Sequence, residues 1–346
     1  MRQFFPLRAA LVTSVAGAVL LSGGLTGCES APRQTTGTGQ QSTARPAPSS
    51  GTAPEPTSTT AQPTLDTRCG SPRASYAPGP GALPAPGKMP RGSTMEQIQR
   101  RGRLVAGVSA DTLLFGYRNP ISGQIEGFDV DLLKAVSRAI FGDGRAIQYR
   151  VLPSDERIPV LKSGEVDIVA ATLTATCERW RQISFSSVYF EAGQRVLVAK
   201  GSTVKNLSQM AGQKVCVTRT STSLKTLGAH PRIEVVQVAH LSDCLALFQQ
   251  GKVDGVTSDD TVLAGFVAQD PHAVVIGPKM TEEPYALGMS AKQKDLVGFV
   301  NAVLEQVRED GTWKASYRRW IGDRLNTAGA GGTTGTPTPP QPLYGR

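Results

Sequence analysis

Apolar residues along the chain fall into two patterns. Short unbroken runs predict buried strands: Arg103 to Val108, Ile147 to Leu152, Val166 to Ala171, Lys214 to Thr218, Ile233 to Val238 and Val253 to Thr257. Apolar residues recurring every three to four positions predict helices over Gly127 to Phe141, Ser242 to Gln250, Asp259 to Ala268, Gln293 to Val307 and Thr312 to Trp320. In the first of these, Phe128, Leu132, Val136 and Ile140 share one side, and Asp129 and Asp131 in the first turn complement the helix dipole. Strands alternating with helices predict an α/β fold.

The stretch from Arg157 to Arg179 combines both patterns. Ile158, Val160 and Leu161 give a helix its buried side, Gly164 stops it, and Val166 to Ala171 follows as a strand. Thr172, Thr174 and Arg179 come next, at the carboxyl end of the strand, where ligands bind in open α/β sheets. An echo follows: Leu161-Lys-Ser-Gly-Glu-Val-Asp-Ile-Val is answered by Phe248-Gln-Gln-Gly-Lys-Val-Asp-Gly-Val, which ends in Thr257, Ser258, Asp259 and Asp260. Two such units predict two lobes facing one cleft, one offering a cation and the other an anion. A ligand with a carboxylate and an ammonium, such as a free amino acid, suits that pair; the alternative is that Arg179 and Asp259 are ordinary surface charges. Thr220-Ser-Thr-Ser reads equally as an anion site or as a plain helix cap.

The ends of the chain differ from its middle. Arg2 and Arg8, the apolar run Ala9 to Leu21 and Leu25-Thr-Gly-Cys28 form a secretory pattern, so residues 1–27 are expected to be a removable signal peptide. Residues 28–94 and 327–346 are rich in Ser, Thr, Pro and Gly, have few large apolar side chains, and are expected to be a disordered tether and tail. The lobes are then 95–195 with 284–326, and 196–283, with Gln194 to Lys200 as the first crossing strand and the chain crossing back around Glu283-Pro-Tyr285.

Export makes disulfides the favoured use of Cys69, Cys177, Cys216 and Cys244. Cys216 and Cys244 fall in one lobe and are paired on that ground; Cys69 with Cys177 follows by elimination. No CxxC pair occurs and His230, His240 and His272 stand in no recognised ligand spacing with the cysteines, so no metal or other cofactor is expected. The net charge of +9 is scattered, with no basic stripe for nucleic acid.

Nine short motifs in order then carry a resemblance over Met95 to Ile321. They are Gly127-Phe-Asp-Val-Asp, Gly164-Glu-Val-Asp before Thr172-Leu-Thr, Thr176-Cys-Glu-Arg, Ser186-Ser-Val-Tyr-Phe, Ser221-Thr-Ser, Gly251-Lys-Val-Asp, Asp259-Asp, Glu283-Pro-Tyr and Asp310-Gly-Thr-Trp. Together they resemble family 3 of the bacterial extracellular solute-binding proteins, which serve polar amino-acid ABC importers, and within it the actinobacterial glutamate-binding lipoproteins. The resemblance implies a two-lobed periplasmic-binding-protein-like fold of type II, its lobes joined by two crossing strands and closing on the ligand. It implies Arg179 on the α-carboxylate, Thr172 and Thr174 beside it, Thr222 as the lobe-two carboxylate contact, and Asp259 on the ammonium. Ser221 and Phe115 are added to the binding set. Thr220 stands where the family usually has glycine. Arg157 occupies the place where binders of acidic amino acids tend to carry arginine, which favours glutamate or aspartate; Arg219 and His240 are the weaker candidates for the distal carboxylate.

Leu25-Thr-Gly-Cys28 likewise resembles a lipobox, which implies lipidation of Cys28 and anchoring to the outer face of the cytoplasmic membrane. The expected partners are an amino acid, an ABC permease or a membrane receptor, and the membrane, with the protein itself a monomer. A sensor without a permease and a dehydratase or lyase on the same fold are the rival functions; the enzyme would need a cleft carboxylate free to act as acid or base.

Overall fold

The computed structural model describes residues 66–331 and 336–346. The signal-peptide and Cys28 expectations lie outside the described residues.

Each lobe is built on a five-stranded sheet with the same pattern of directions. In lobe 1 the order is Ile147–Val151, Leu104–Val108, Ile168–Ala170, Gly288–Ser290 and Ile183–Phe185. The first three strands run parallel and the last two pair antiparallel. In lobe 2 the order is Glu234–Val238, Lys214–Thr218, Gly255–Asp259, Gln194–Ala199 and Ala273–Ile276, again three parallel strands followed by antiparallel pairs. The two echoed segments therefore supply the third strand of each sheet, and their carboxyl ends face one another.

Phe190–Ala192 and Glu283–Tyr285 pair antiparallel and form the two crossings. The first crossing thus precedes Gln194, and Gln194 to Lys200 belongs to the lobe-2 sheet rather than to the connection. Local signals explain most element ends. Gly164 sits at φ +76° after Pro159–Ser163, and Gly142 at φ +78° after Phe128–Phe141, both closing helices in the left-handed conformation that glycine adopts without a Cβ clash.

Disulfides join Cys69 to Cys177 and Cys216 to Cys244. The second ties the strand Lys214–Thr218 to the helix Leu241–Gln249 that covers it. The first has a larger consequence, because residues 66–94 are not a free tether. Ala74–Ser75 pairs parallel with Leu343–Tyr344, Trp180 Nε1 donates to Pro72 O at 2.8 Å, and Met89 is buried in the core. Asn301 Nδ2 donates to Ser75 Oγ and to Tyr76 O at 2.9 and 2.7 Å.

The tail is corrected in the same way. Arg308 Nε donates to Pro340 O, Arg346 donates to Ser71 O and Ala74 O, and the Arg346 guanidinium lies 3.9 Å from the centre of the Trp180 ring. Such segments cannot build a core of their own, but backbone hydrogen bonds and a disulfide hold them to lobe 1. Composition measures only the first capacity.

Candidate functional site

The carboxyl ends of the two echoed strands meet at a cavity of about 50 Å³ lined by both lobes. The lobes are closed across it. Asp111 of lobe 1 accepts from Ser242 N and Oγ at 3.0 and 3.2 Å, and Arg179 Nη2 donates to Thr220 O at 3.4 Å. Lys225 also pairs with Glu178 between the lobes.

Arg179 rides on the short helix Cys177–Trp180, which Thr176 caps by accepting from Arg179 N. Its Nη1 donates to Thr174 O at 2.8 Å. Burial lowers its pKa, and the charges of Glu283 and Asp259 work against that shift. Arg157 is equally enclosed, donating from Nε to Ser154 O and from Nη1 to Ala171 O, both at 3.0 Å. Burial, then the neighbouring charge of Arg179, brings it down to about 9. Among the described residues neither guanidinium has a carboxylate within ion-pair distance. Two adjacent buried cations with carbonyl partners only are a strong attractor for carboxylate oxygens, because guanidinium pairs such oxygens in two directions at once.

Asp259 ends the facing strand and accepts from Tyr285 Oη at 2.6 Å. Burial, then the like charge of Glu283, pushes its pKa well above the usual carboxylate range. A cation placed beside it would offset that cost.

Thr172 lines the cavity in a backbone conformation with φ +43°, in which a β-branched residue is strained. Asp129 holds it there by accepting from Thr172 N at 2.8 Å and from Tyr189 Oη at 2.5 Å. Ser221 also lines the cavity, but its hydroxyl donates to Thr218 O and accepts from Leu224 N as a helix cap. The Thr174 and Thr222 hydroxyls, expected on a ligand, both donate to the buried carboxylate of Glu283.

Two expected residues are not brought to the cavity. Phe115 is fully buried beneath the crossing strands, packed edge-on against Phe190 and Tyr285. Arg219 is about half exposed, 3.9 Å from Asp155, and is absent from the lining, whereas His240 is part of it. Ser109, Asp111 and Thr112 line the cavity without having been expected there. Asp129 and Glu283 were visible in the sequence only as a helix-dipole acid and as part of a motif. A carboxylate in the first turn of a helix and one just before Pro284-Tyr285 were the available signals.

Burial of Asp129 outweighs its two hydrogen bonds and raises its pKa to about 6 from an ordinary 3.8. The folded state therefore holds this proton more tightly than the unfolded chain does. Its stabilising contribution is fully present below about pH 4 and is lost as pH rises through about 6, a change of about 3 kcal/mol. Against Asp129→Asn, which cannot titrate there, the wild type should lose relative stability between pH 4 and 7 in urea unfolding. A gap independent of pH would refute this.

Comparison with known proteins agrees with the geometry. Residues 104–323 match the bacterial extracellular solute-binding proteins, family 3. The ABC transporter glutamine-binding protein GlnH of Bacillus subtilis is 36% identical over 66% of this chain and 84% of its own length. The glutamate-binding protein GluB of Corynebacterium efficiens is 27% identical over 68% of this chain and 83% of its own. Among solved structures, an ancestral arginine-binding protein bound to glutamine is 32% identical with a TM-score of 0.60, covering 64% of this chain and 99% of that one.

Proposed function

This chain belongs to the bacterial extracellular solute-binding proteins, family 3, and from that premise we propose that it binds a free α-amino acid between its lobes and delivers it to an ABC permease. The observation that carries the proposal is the pair of buried guanidiniums, Arg157 and Arg179, without an ion-pair partner among the described residues, lining one cavity with Asp259. In this reading Arg179 takes the α-carboxylate and Asp259 the ammonium, while Arg157 takes a side-chain carboxylate. Glutamate is then the preferred ligand, with aspartate behind it. Relatives named for amino acids support the ligand class.

Glutamine is the second reading, and Glu283 favours it. With Asp259, that buried carboxylate offsets the two guanidinium charges, and Asp111 adds a further acid to the cavity lining, so a neutral zwitterion suits the cleft better than an acidic ligand does. Native mass spectrometry of the purified protein, followed by amino-acid analysis of what denaturation releases, separates the readings. One equivalent of glutamate supports the first and one of glutamine the second; release of something other than an amino acid would sink both.

The lipid anchor at Cys28 belongs to the same proposal, because a tethered binder stays beside its permease. Membrane-extracted protein should begin at a diacylated Cys28 by mass spectrometry. An unmodified N-terminus retaining residues 1–27 would refute it.

A further inference from the structure

Glu283 is 1% exposed and lies on the second crossing strand, yet it contacts both lobes. Its Oε2 accepts from Thr174 Oγ1 of lobe 1 at 2.6 Å and from Thr222 Oγ1 of lobe 2 at 2.8 Å. Its Oε1 accepts from Thr281 Oγ1, two residues back along its own segment, at 2.7 Å. One carboxylate oxygen thus joins a hydroxyl from each lobe, and the other fixes the carboxylate on the connection between them. We propose that Glu283 is a positioning residue that latches the lobes in the closed arrangement.

The argument rests on geometry. Opening the cleft moves Thr222, at the start of the helix Thr222–Leu227, away from Thr174, which follows the strand Ile168–Ala170. The shared oxygen cannot follow both, so opening breaks at least one charge-assisted hydrogen bond of a buried group. Such a bond is stronger than one between neutral partners and is poorly replaced by water at a site this enclosed. The latch lies beside the ligand position proposed above and acts on whatever the cleft holds. It therefore sets how long a ligand stays rather than which ligand enters.

The test uses the full mature chain and three variants: Glu283→Gln, Thr222→Val and Thr281→Val. Stopped-flow fluorescence measures release of glutamate and of glutamine. Glu283→Gln and Thr222→Val should release both ligands about tenfold faster, the equivalent of one such bond, with association rates within twofold of the wild type. Thr281→Val should remain within twofold in both rates, because its bond does not cross between lobes. Unchanged release in Glu283→Gln, or acceleration for only one of the two ligands, would overturn the latch; the latter would make Glu283 a direct ligand contact. If Glu283→Gln does not fold, X-ray scattering of ligand-free Thr222→Val decides, because Thr222 also lines the cavity and its release rates alone would mix a lost contact with a lost latch.

The latch rests on the proposed binding of an amino acid, but it can fail separately. Should the wild type bind neither ligand, X-ray scattering without ligand still decides the latch. A larger radius of gyration in Glu283→Gln than in wild type supports it, and identical radii overturn it.

Discussion

Arg179→Ala is expected to abolish binding of every amino acid the protein takes, a loss of about 2–5 kcal/mol, by analogy with truncated buried charge pairs. The size follows from where the guanidinium sits. It is 9% exposed, anchored through Nη1 to Thr174 O, and reaches across to Thr220 O of the other lobe. A ligand carboxylate would leave water on entering, and without Arg179 it would find one buried cation instead of two. Because all α-amino acids share that carboxylate, acids and amides should suffer alike. Calorimetric titration of the variant checks this, and glutamine binding within threefold of the wild type would remove Arg179 from the shared contact.

Arg157→Ala should behave differently. Glutamate and aspartate should weaken by about 2–5 kcal/mol, while glutamine and asparagine change little. Two opposing consequences of the substitution decide the outcome. Removing Arg157 takes away a cation that burial, and then repulsion from Arg179, holds down to about 9, which favours the variant protein without ligand. Among the described residues it also takes away the one other guanidinium that lines the cavity, since Arg219 stands outside it. The second consequence is felt by acidic ligands alone. Equal losses for acids and amides would take Arg157 out of the side-chain pocket and leave His240, which does line the cavity, as the remaining expected group.

The framework that carries this cavity is partly legible in the sequence. The helix, glycine stop and strand from Arg157 to Ala171 are local features, and their echo near Gly251 placed two strand ends opposite each other. Cys216 and Cys244 were readable for a similar reason, as neighbours in one lobe, and the structure joins them. What escaped depended on distant partners. Asp129 looks like any acid in a first helical turn; only the fold brings it within 2.8 Å of Thr172 N and so assigns it the strained loop. Glu283 is 109 residues from Thr174 and 61 from Thr222, and no local pattern announces that one carboxylate will receive both hydroxyls.

The terminal segments show a different limit. Residues 66–94 and 336–346 are poor in large apolar groups, yet Cys69, Ser75 and Arg346 each find partners already ordered in lobe 1. Composition reports whether a segment can fold alone and is silent on whether a neighbour will hold it. Phe115 failed for another reason. Its ring packs edge-on against Phe190 and Tyr285, which no local pattern places beside it.

The central claim is that this cleft binds a free α-amino acid through two buried arginines and Asp259. Isothermal titration of the purified wild-type protein, unfolded and refolded to remove any carried ligand, with glutamate, aspartate, glutamine, asparagine and arginine tests it most directly. The account predicts saturable one-to-one binding, tightest for glutamate, and weak or no binding of arginine, whose side chain would face Arg157. Absence of binding by all five, or arginine binding tighter than both glutamate and glutamine, would contradict it.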